Sequence, residues 1–345
     1  MRRLTALLAT ATLLGPAALA AQGRPAATRL VEAVRPAAYQ AHLAFLSDDA
    51  LEGRAPATRG GRLAARYIAA QFARLGLEPA GDSGTYFHRI PVVRHTPTPT
   101  LEPSKGGALR VRDDYVLWSM HDEPSVAVSA PVVFAGYGTV APGERWDDFA
   151  GADVKGKIVM VLVNDPGLRD ERIFRGKELT YYGRWTYKIE EAERQGAAGV
   201  LIVHTTESAT YPWSTVVGSW GGTAVRLART PGPLLVAGWL TEEAATRLVA
   251  AGGHDLKTLA EAAAKPGFRA VPLDVSLRAA VRSTIERSET ENVLARLPGR
   301  SRSSEAVLLG GHYDHLGIGT PVAGDSIYNG ALDNASGTAA VLVAA

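Results

Sequence analysis

There is no cysteine among the 345 residues. This excludes disulfides and any lipid anchor attached through a cysteine, so stability outside a cell has to come from packing. A long hydrophobic run is also missing. The N-terminal MRRLTALLATATLLGPAALAAQG is broken at Gly15-Pro16 and falls short of the ~20 apolar residues that span a bilayer. It reads instead as a signal peptide over residues 1–20: two arginines, an apolar stretch, then Ala18-Leu19-Ala20, the small-x-small pattern cut by signal peptidase. A secreted or periplasmic chain starting near Ala21 is expected. An excess of one charge is absent as well. The formal net charge is +2, and losing residues 1–20 removes Arg2 and Arg3 and no acid, which brings it to 0. Nothing in that balance points to nucleic acid or to an anionic membrane as partner.

What is present is 46% hydrophobic residues over a length sufficient for roughly two domains. HLAFLSDDALEGR and RGGRLAARYIAAQFARLGLEP read as helices around a polar turn, the second with Leu63, Tyr67, Ile68, Phe72 and Leu75 at helical spacing and a stop at Gly76. HTPTPTLEPSKGG, from His95 to Gly107, has the composition of an exposed connection. From Ala130 to about residue 285 the texture turns to short strand-like runs (PVVFAGYG, GKIVMVLVND, AAGVLIVH, PLLVAGW) with helices YKIEEAERQGA, TEEAATRLVAAGG and LKTLAEAAAK between and after them. This predicts a separate α/β module between an N-terminal part, 21–129, and a continuation, 286–345. Gly136-Tyr137-Gly138 follows a strand but lacks the third glycine and helix start of a dinucleotide fingerprint. Glu190-Glu191 lies on an amphipathic helix and reads as a solvated face. Ser219, in GSWGG, is not in a nucleophile-elbow pattern. His204 ends the GVLIVH strand and is assigned no ligand role.

The chemistry-bearing stretch is late. Asn292–Leu297 and Val307–Leu309 read as a strand pair, with Gly310-Gly311 delivering His312 to a strand's C-terminal end, where ligands sit in open α/β sheets. In extended backbone His312 and Asp314 face the same way, so the carboxylate can accept a hydrogen bond from the imidazole nitrogen that a metal does not use. Asp333, in NGALDNASG, stands just ahead of a helix N-terminus. Taken singly, the His-x-Asp is compatible with a polar turn and Asp333 with an N-cap.

HYDHLG followed by GDSIYNGALDNASGTA resembles the secreted dizinc exopeptidase family of leucyl aminopeptidases and glutamate carboxypeptidases. The segment HLAFLSDDALEGRAPATRGGRLAARYIAAQFARLGLEPAGDSGTYFHRIPV looks like that family's N-terminal part. YYGRWTYKIEEAERQGAAGVLIVH and YPWSTVVGSWGG resemble the protease-associated domain that many members carry as an insertion. The resemblance implies a zinc exopeptidase-type α/β/α sandwich with a mixed sheet, incomplete here, plus an inserted protease-associated α/β domain at 130–285. It implies two Zn2+ ions, with His312 a ligand of one, Asp333 bridging both across a cis Asp333–Asn334 peptide, and Asp314 the carboxylate that supports His312 in catalysis. His315 receives no ligand role. The implied activity is aminopeptidase hydrolysis of peptide substrates. Carboxypeptidase, dipeptidase or glutaminyl cyclase specificity on the same scaffold stays open, as does a non-catalytic peptide- or protein-binding role. The family's glutamate pair, its further acidic ligand and its last histidine lie beyond the helix after Asp333, where this chain stops. The expectation is therefore a fragment without activity of its own, in which Val307–Leu309 borders an unpaired sheet edge.

Overall fold

The computed structural model describes residues 34–302 and 304–345. The signal-peptide reading lies outside the described residues. Among the described residues no helix is long and apolar enough to cross a membrane.

The chain begins with α1 (Pro36–Leu46), a single-turn segment Asp49–Arg54 capped by the Asp48 carboxylate on the Ala50 amide at 2.8 Å, and α2 (Arg59–Arg74). Thr58 caps α2 by accepting from the Gly61 amide at 3.2 Å. The face of α2 that is buried carries Ala64, Ala65, Ile68, Ala69 and Phe72, while Leu63 and Leu75 from the expected stripe are exposed. The small residues permit close packing: a Cβ on Gly60 would lie 1.8 Å from the Leu51 carbonyl oxygen. With Leu46, Leu51, Ala335 and Leu342, this face forms a compact core of its own.

The inserted module is a mixed eight-stranded sheet. Its members are β1 (Phe87–Pro103), β2 (Tyr115–Ser119), β3 (Ser125–Phe134), β4 (Ile158–Leu162), β5 (Gly199–His204), β6 (Ala224–Leu227), β7 (Val236–Thr241) and β8 (Val271–Val293). They are ordered β2-β7-β5-β4-β3-β8-β1-β6, with the central β7, β5, β4 and β3 parallel and the outer pairs antiparallel. The mixed α/β architecture is as expected from the sequence. One face packs against α5 (Glu242–Ala251) and α6 (Leu256–Ala263), and the other against α3 (Trp185–Arg194) and α4 (Trp213–Trp220). Strand β8 shows the period of two that directs this burial: Leu273, Val275, Leu277, Ala279 and Val281 are all buried on one face.

The sheet reaches past residue 130 on its N-terminal side. His95–Gly107 is not an exposed connection, since most of it is strand β1, paired with β8 along its whole length from Phe87↔Val293 to Pro103↔Leu277. Its prolines mask the strand signal. Pro97 and Pro99 fit because β6 pairs with β1 only over Val92–His95, so the missing N–H groups fall on an edge. The expected strand pair around Val307 is absent too. Asn292 and Val293 end β8, Ala295-Arg296 pair with Glu78-Pro79, and Val307, Leu308 and Leu309 lie outside any strand at 91%, 90% and 62% exposure. Among the described residues nothing pairs with them, so their apolar side chains have no sheet to bury against.

Glu191 corrects the reading of the acidic pair. Glu190 is half-exposed, but Glu191 is buried, held by the Arg194 guanidinium at 2.7 Å, the Gln195 amide at 2.8 Å and the Tyr187 hydroxyl at 3.3 Å. His204 is buried at the end of β5 and its Nε2 donates to the Tyr211 carbonyl at 2.9 Å. Burial holds its pKa below the ordinary 6.5, against a smaller opposing pull from that hydrogen bond and from the Glu243 charge. The folded imidazole therefore stays neutral at a pH where the unfolded one is protonated, so the unfolded state binds more protons. Stability should fall as pH drops through 6.5 toward the depressed folded value. In urea titrations between pH 7.5 and 5, His204→Gln should flatten this decline. An unchanged slope would remove His204 as its source.

Candidate metal centre

Two loops bring the sequence-predicted residues together. His312–Asp314 lies in an extended stretch before the strand Gly317–Val322, and Asp333 lies in the turn Ala331–Ala335 that leads into α7 (Ser336–Ala344). The turn is anchored on both sides. The Thr338 hydroxyl donates to the His312 carbonyl at 3.0 Å, and the Gly337 amide donates to the Asn334 side-chain oxygen at 3.0 Å. The Asp333–Asn334 peptide is cis, as the resemblance implied.

The geometry at the imidazole is specific. His312 Nδ1 lies 3.3 Å from an Asp314 carboxylate oxygen and 3.1 Å from the Asp314 carbonyl, while Nε2 lies 3.1 Å from an Asp333 carboxylate oxygen. One ring nitrogen thus faces Asp314 and the other faces Asp333 on the second loop. All three side chains are substantially exposed, and a cleft of about 400 Å3 lined by Thr290, His312, Tyr313, Asp314 and Leu342 opens beside them. That volume lies within the range of small-ligand sites. The Tyr313 hydroxyl donates to the Glu291 carbonyl at 2.6 Å, and burial, with the nearby Glu291 and Asp314 charges, pushes its pKa up to about 12. Tyr313 is a packing residue at neutral pH. The His315 ring lies against Gly330, where an added Cβ would lie 2.5 Å from it, and it feels the Asp333 and Asp314 charges. Burial is the largest influence on its pKa, which is lowered.

The donor set suits zinc in kind, since imidazole and carboxylate are ordinary zinc ligands. In number it falls short: among the described residues no three His, Asp or Glu side chains gather in a metal-binding arrangement. His204 and Glu190-Glu191 belong to the sheet module and are not brought to this centre.

Sequence reasoning missed the other wall of the centre. Arg54 is fully buried and donates to the carbonyls of Tyr313, Asn329, Gly330 and Leu46. The Asn329 side-chain amide donates to the Ser47 carbonyl at 2.9 Å and the Asp49 carboxylate at 2.7 Å. Gly53 approaches so closely that an added Cβ would lie 2.6 Å from both the Gly317 and Tyr328 carbonyl oxygens, at a φ of +66°. The only local signal was a glycine followed by an arginine in a polar turn, which by itself names no partner.

A family model described as peptidase family M28 matches residues 292–345, and one described as the PA domain matches residues 128–232. Residues 292–345 are thus similar to the M28 peptidase family and residues 128–232 to the PA domain. The M28 segment carries His312, Asp314 and Asp333, and the PA match lies within the eight-stranded module. A comparison with curated proteins gave no match. Among solved structures, the chain is similar to an aminopeptidase from Aneurinibacillus sp. strain AM-1, with 19% identity over 92% of this chain and 60% of that one and a TM-score of 0.41. It is also similar to BSAP, a zinc aminopeptidase from Bacillus subtilis, with 21% identity over 89% of this chain and 55% of that one and a TM-score of 0.36. The chain therefore spans between 55% and 60% of the length of these structures.

Proposed function

We propose that this chain carries the first half of a two-zinc exopeptidase site and that the protein removes N-terminal residues from peptides outside the cytoplasm. The observation that supports it most is the pair of contacts on His312: Asp314 at Nδ1 and Asp333 at Nε2, inside the M28 segment. In this reading His312 and Asp333 would hold zinc, and Asp314 fixes the imidazole's tautomer and orientation. Zinc bound there would supply Lewis acidity and a water acidic enough to react near neutral pH. What the chain's own residues do is hold the ions and present the cleft beside Tyr313 to the peptide, whose free α-amino group is the proposed anchor. The PA domain shapes access and contributes no ligand.

One imidazole and one bridging carboxylate do not make a tight dizinc site, because such sites use three or four protein ligands per ion. These 345 residues by themselves are accordingly expected to hold zinc weakly and to hydrolyse no peptide. The test is aminoacyl-anilide hydrolysis with added zinc, comparing the 345 residues with a chain extended to the length of the zinc aminopeptidases it matches. Comparable zinc-dependent turnover by both would show that the catalytic residues are misplaced. An inactive extended chain that still binds peptide would favour the non-catalytic reading.

Export follows from residues 1–20. N-terminal sequencing of protein recovered from the expressing cell should find a start at or near Ala21. An intact Met1 on a cytoplasmic product would overturn it.

A further inference from the structure

The only wholly buried arginine among the described residues is spent on main-chain carbonyls of the two loops that bear the half-site. Arg54 Nε donates to Tyr313 O at 2.7 Å, Nη1 to Asn329 O at 2.5 Å, and Nη2 to Gly330 O at 3.0 Å; Nη1 also reaches Leu46 O. Tyr313 adjoins His312, and Gly330 opens the turn that holds Asp333. We propose that Arg54 is a positioning residue that sets the separation of the His312 and Asp333 loops and so readies the half-site before any metal arrives.

The chemistry favours arginine and no other side chain. A guanidinium is a rigid planar fork with five donors, so it fixes the spacing between acceptors on two separate loops, whereas a lysine ammonium is a point charge on a flexible stem. Burying that charge is costly, and the cost is offset here by directed carbonyl dipoles and by the nearby Asp314 carboxylate. The surroundings leave little slack. The Asp49 carboxylate and Ser47 carbonyl hold the Asn329 side chain, and the Arg54 carbonyl accepts from the His315 amide at 3.4 Å. An added Cβ on Gly317 would lie 2.7 Å from Ala55 Cβ. The segment 46–55 thus grips both loops, with Arg54 at its centre.

The zinc part of the test rests on the half-site reading; the rest does not. Amide hydrogen exchange is measured on the metal-free 345-residue chain and on Arg54→Lys and Arg54→Met. Exchange in residues 312–316 and 328–334 should quicken by about tenfold or more in both variants, while β4 and β5 are unchanged. In the extended chain, zinc affinity read by competition with a chromophoric chelator should weaken by roughly 10–100-fold, the usual cost of losing a group that orients a ligand. In an extended, active chain Arg54→Lys should lower kcat and leave KM nearly constant. Should Arg54→Met fail to fold, Arg54→Lys, which keeps the charge and most of the volume, decides the matter. Unchanged exchange in the two loops, or an equal rise throughout the chain, would overturn the proposal. The two readings fail separately: if the His312 ring resonances of the wild-type chain do not move on adding zinc, the half-site reading fails while the exchange data still judge Arg54.

Discussion

Asp333→Asn should abolish peptide hydrolysis in an extended, zinc-loaded chain and should weaken zinc binding by more than about a hundredfold. The magnitude follows from the bridging role proposed for it. Loss of a group that merely supports a ligand costs ~10–100-fold in affinity or activity, and a bridging carboxylate contributes donors to two ions as well as the charge that lets them approach each other. Asparagine keeps the shape but removes the charge and one donor oxygen. Asp314→Asn is the internal control: it leaves every proposed ligand in place, removes the carboxylate facing His312 Nδ1 at 3.3 Å together with the charge near Arg54, and should stay within the ~10–100-fold range. If Asp333→Asn binds zinc within tenfold of wild type, or if Asp314→Asn is the more damaging change, the assignment of bridge and support is wrong.

Trp239→Ala should be the costliest single truncation for stability, about 3–5 kcal/mol in guanidinium unfolding. Trp239 is fully buried in the central strand β7, with its ring 5.7 Å from Trp220 and 6.0 Å from His204. Such a loss is a large part of the ~5–15 kcal/mol that holds a domain folded. The indole nitrogen gives a second arm to the test. Nε1 is buried and finds no hydrogen-bond partner among the described residues, so replacing it sacrifices no bond. Trp239→Phe should therefore cost much less than the alanine change, through lost volume alone. A loss under about 1 kcal/mol for Trp239→Ala would mean that the site collapses around the gap far more fully than buried aromatic positions usually do.

Periodicity made the helices legible, and chemistry at short spacing made the centre legible. The runs read as helices from 59, 187, 241 and 256 lie in helices that start at 59, 185, 242 and 256, because apolar spacing is a local property. His312 and Asp314 meet because they are two residues apart. Reading failed where the deciding partner was distant or was another backbone. HTPTPT looks like a connection until β8 is known to lie beside it. Val307–Leu309 looks like a buried strand, but burial requires a neighbour that the sequence of the run cannot supply. Glu191 looks solvated because its helix is amphipathic; its burial depends on Arg194 and Gln195 closing over it. Arg54 gave no warning, since its acceptors lie up to 276 residues away.

The long ribbon of β1 and β8 bears on how such distant partners find one another during folding. Phe87 pairs with Val293, so the module leaves and rejoins the rest of the chain at adjacent points. Arg54 and Tyr313 are 259 residues apart along the chain, but once the ribbon has zipped, the path between them that is still free to wander is only about fifty residues. Because closure entropy grows with the logarithm of loop length, this shortcut lowers the cost of joining them by roughly 1.4 kcal/mol. It also imposes an order of assembly during synthesis. Helices α1 and α2 leave the ribosome long before their partners exist, the module folds and brings its ends together, and the arginine then closes on loops delivered to it as though across a hairpin.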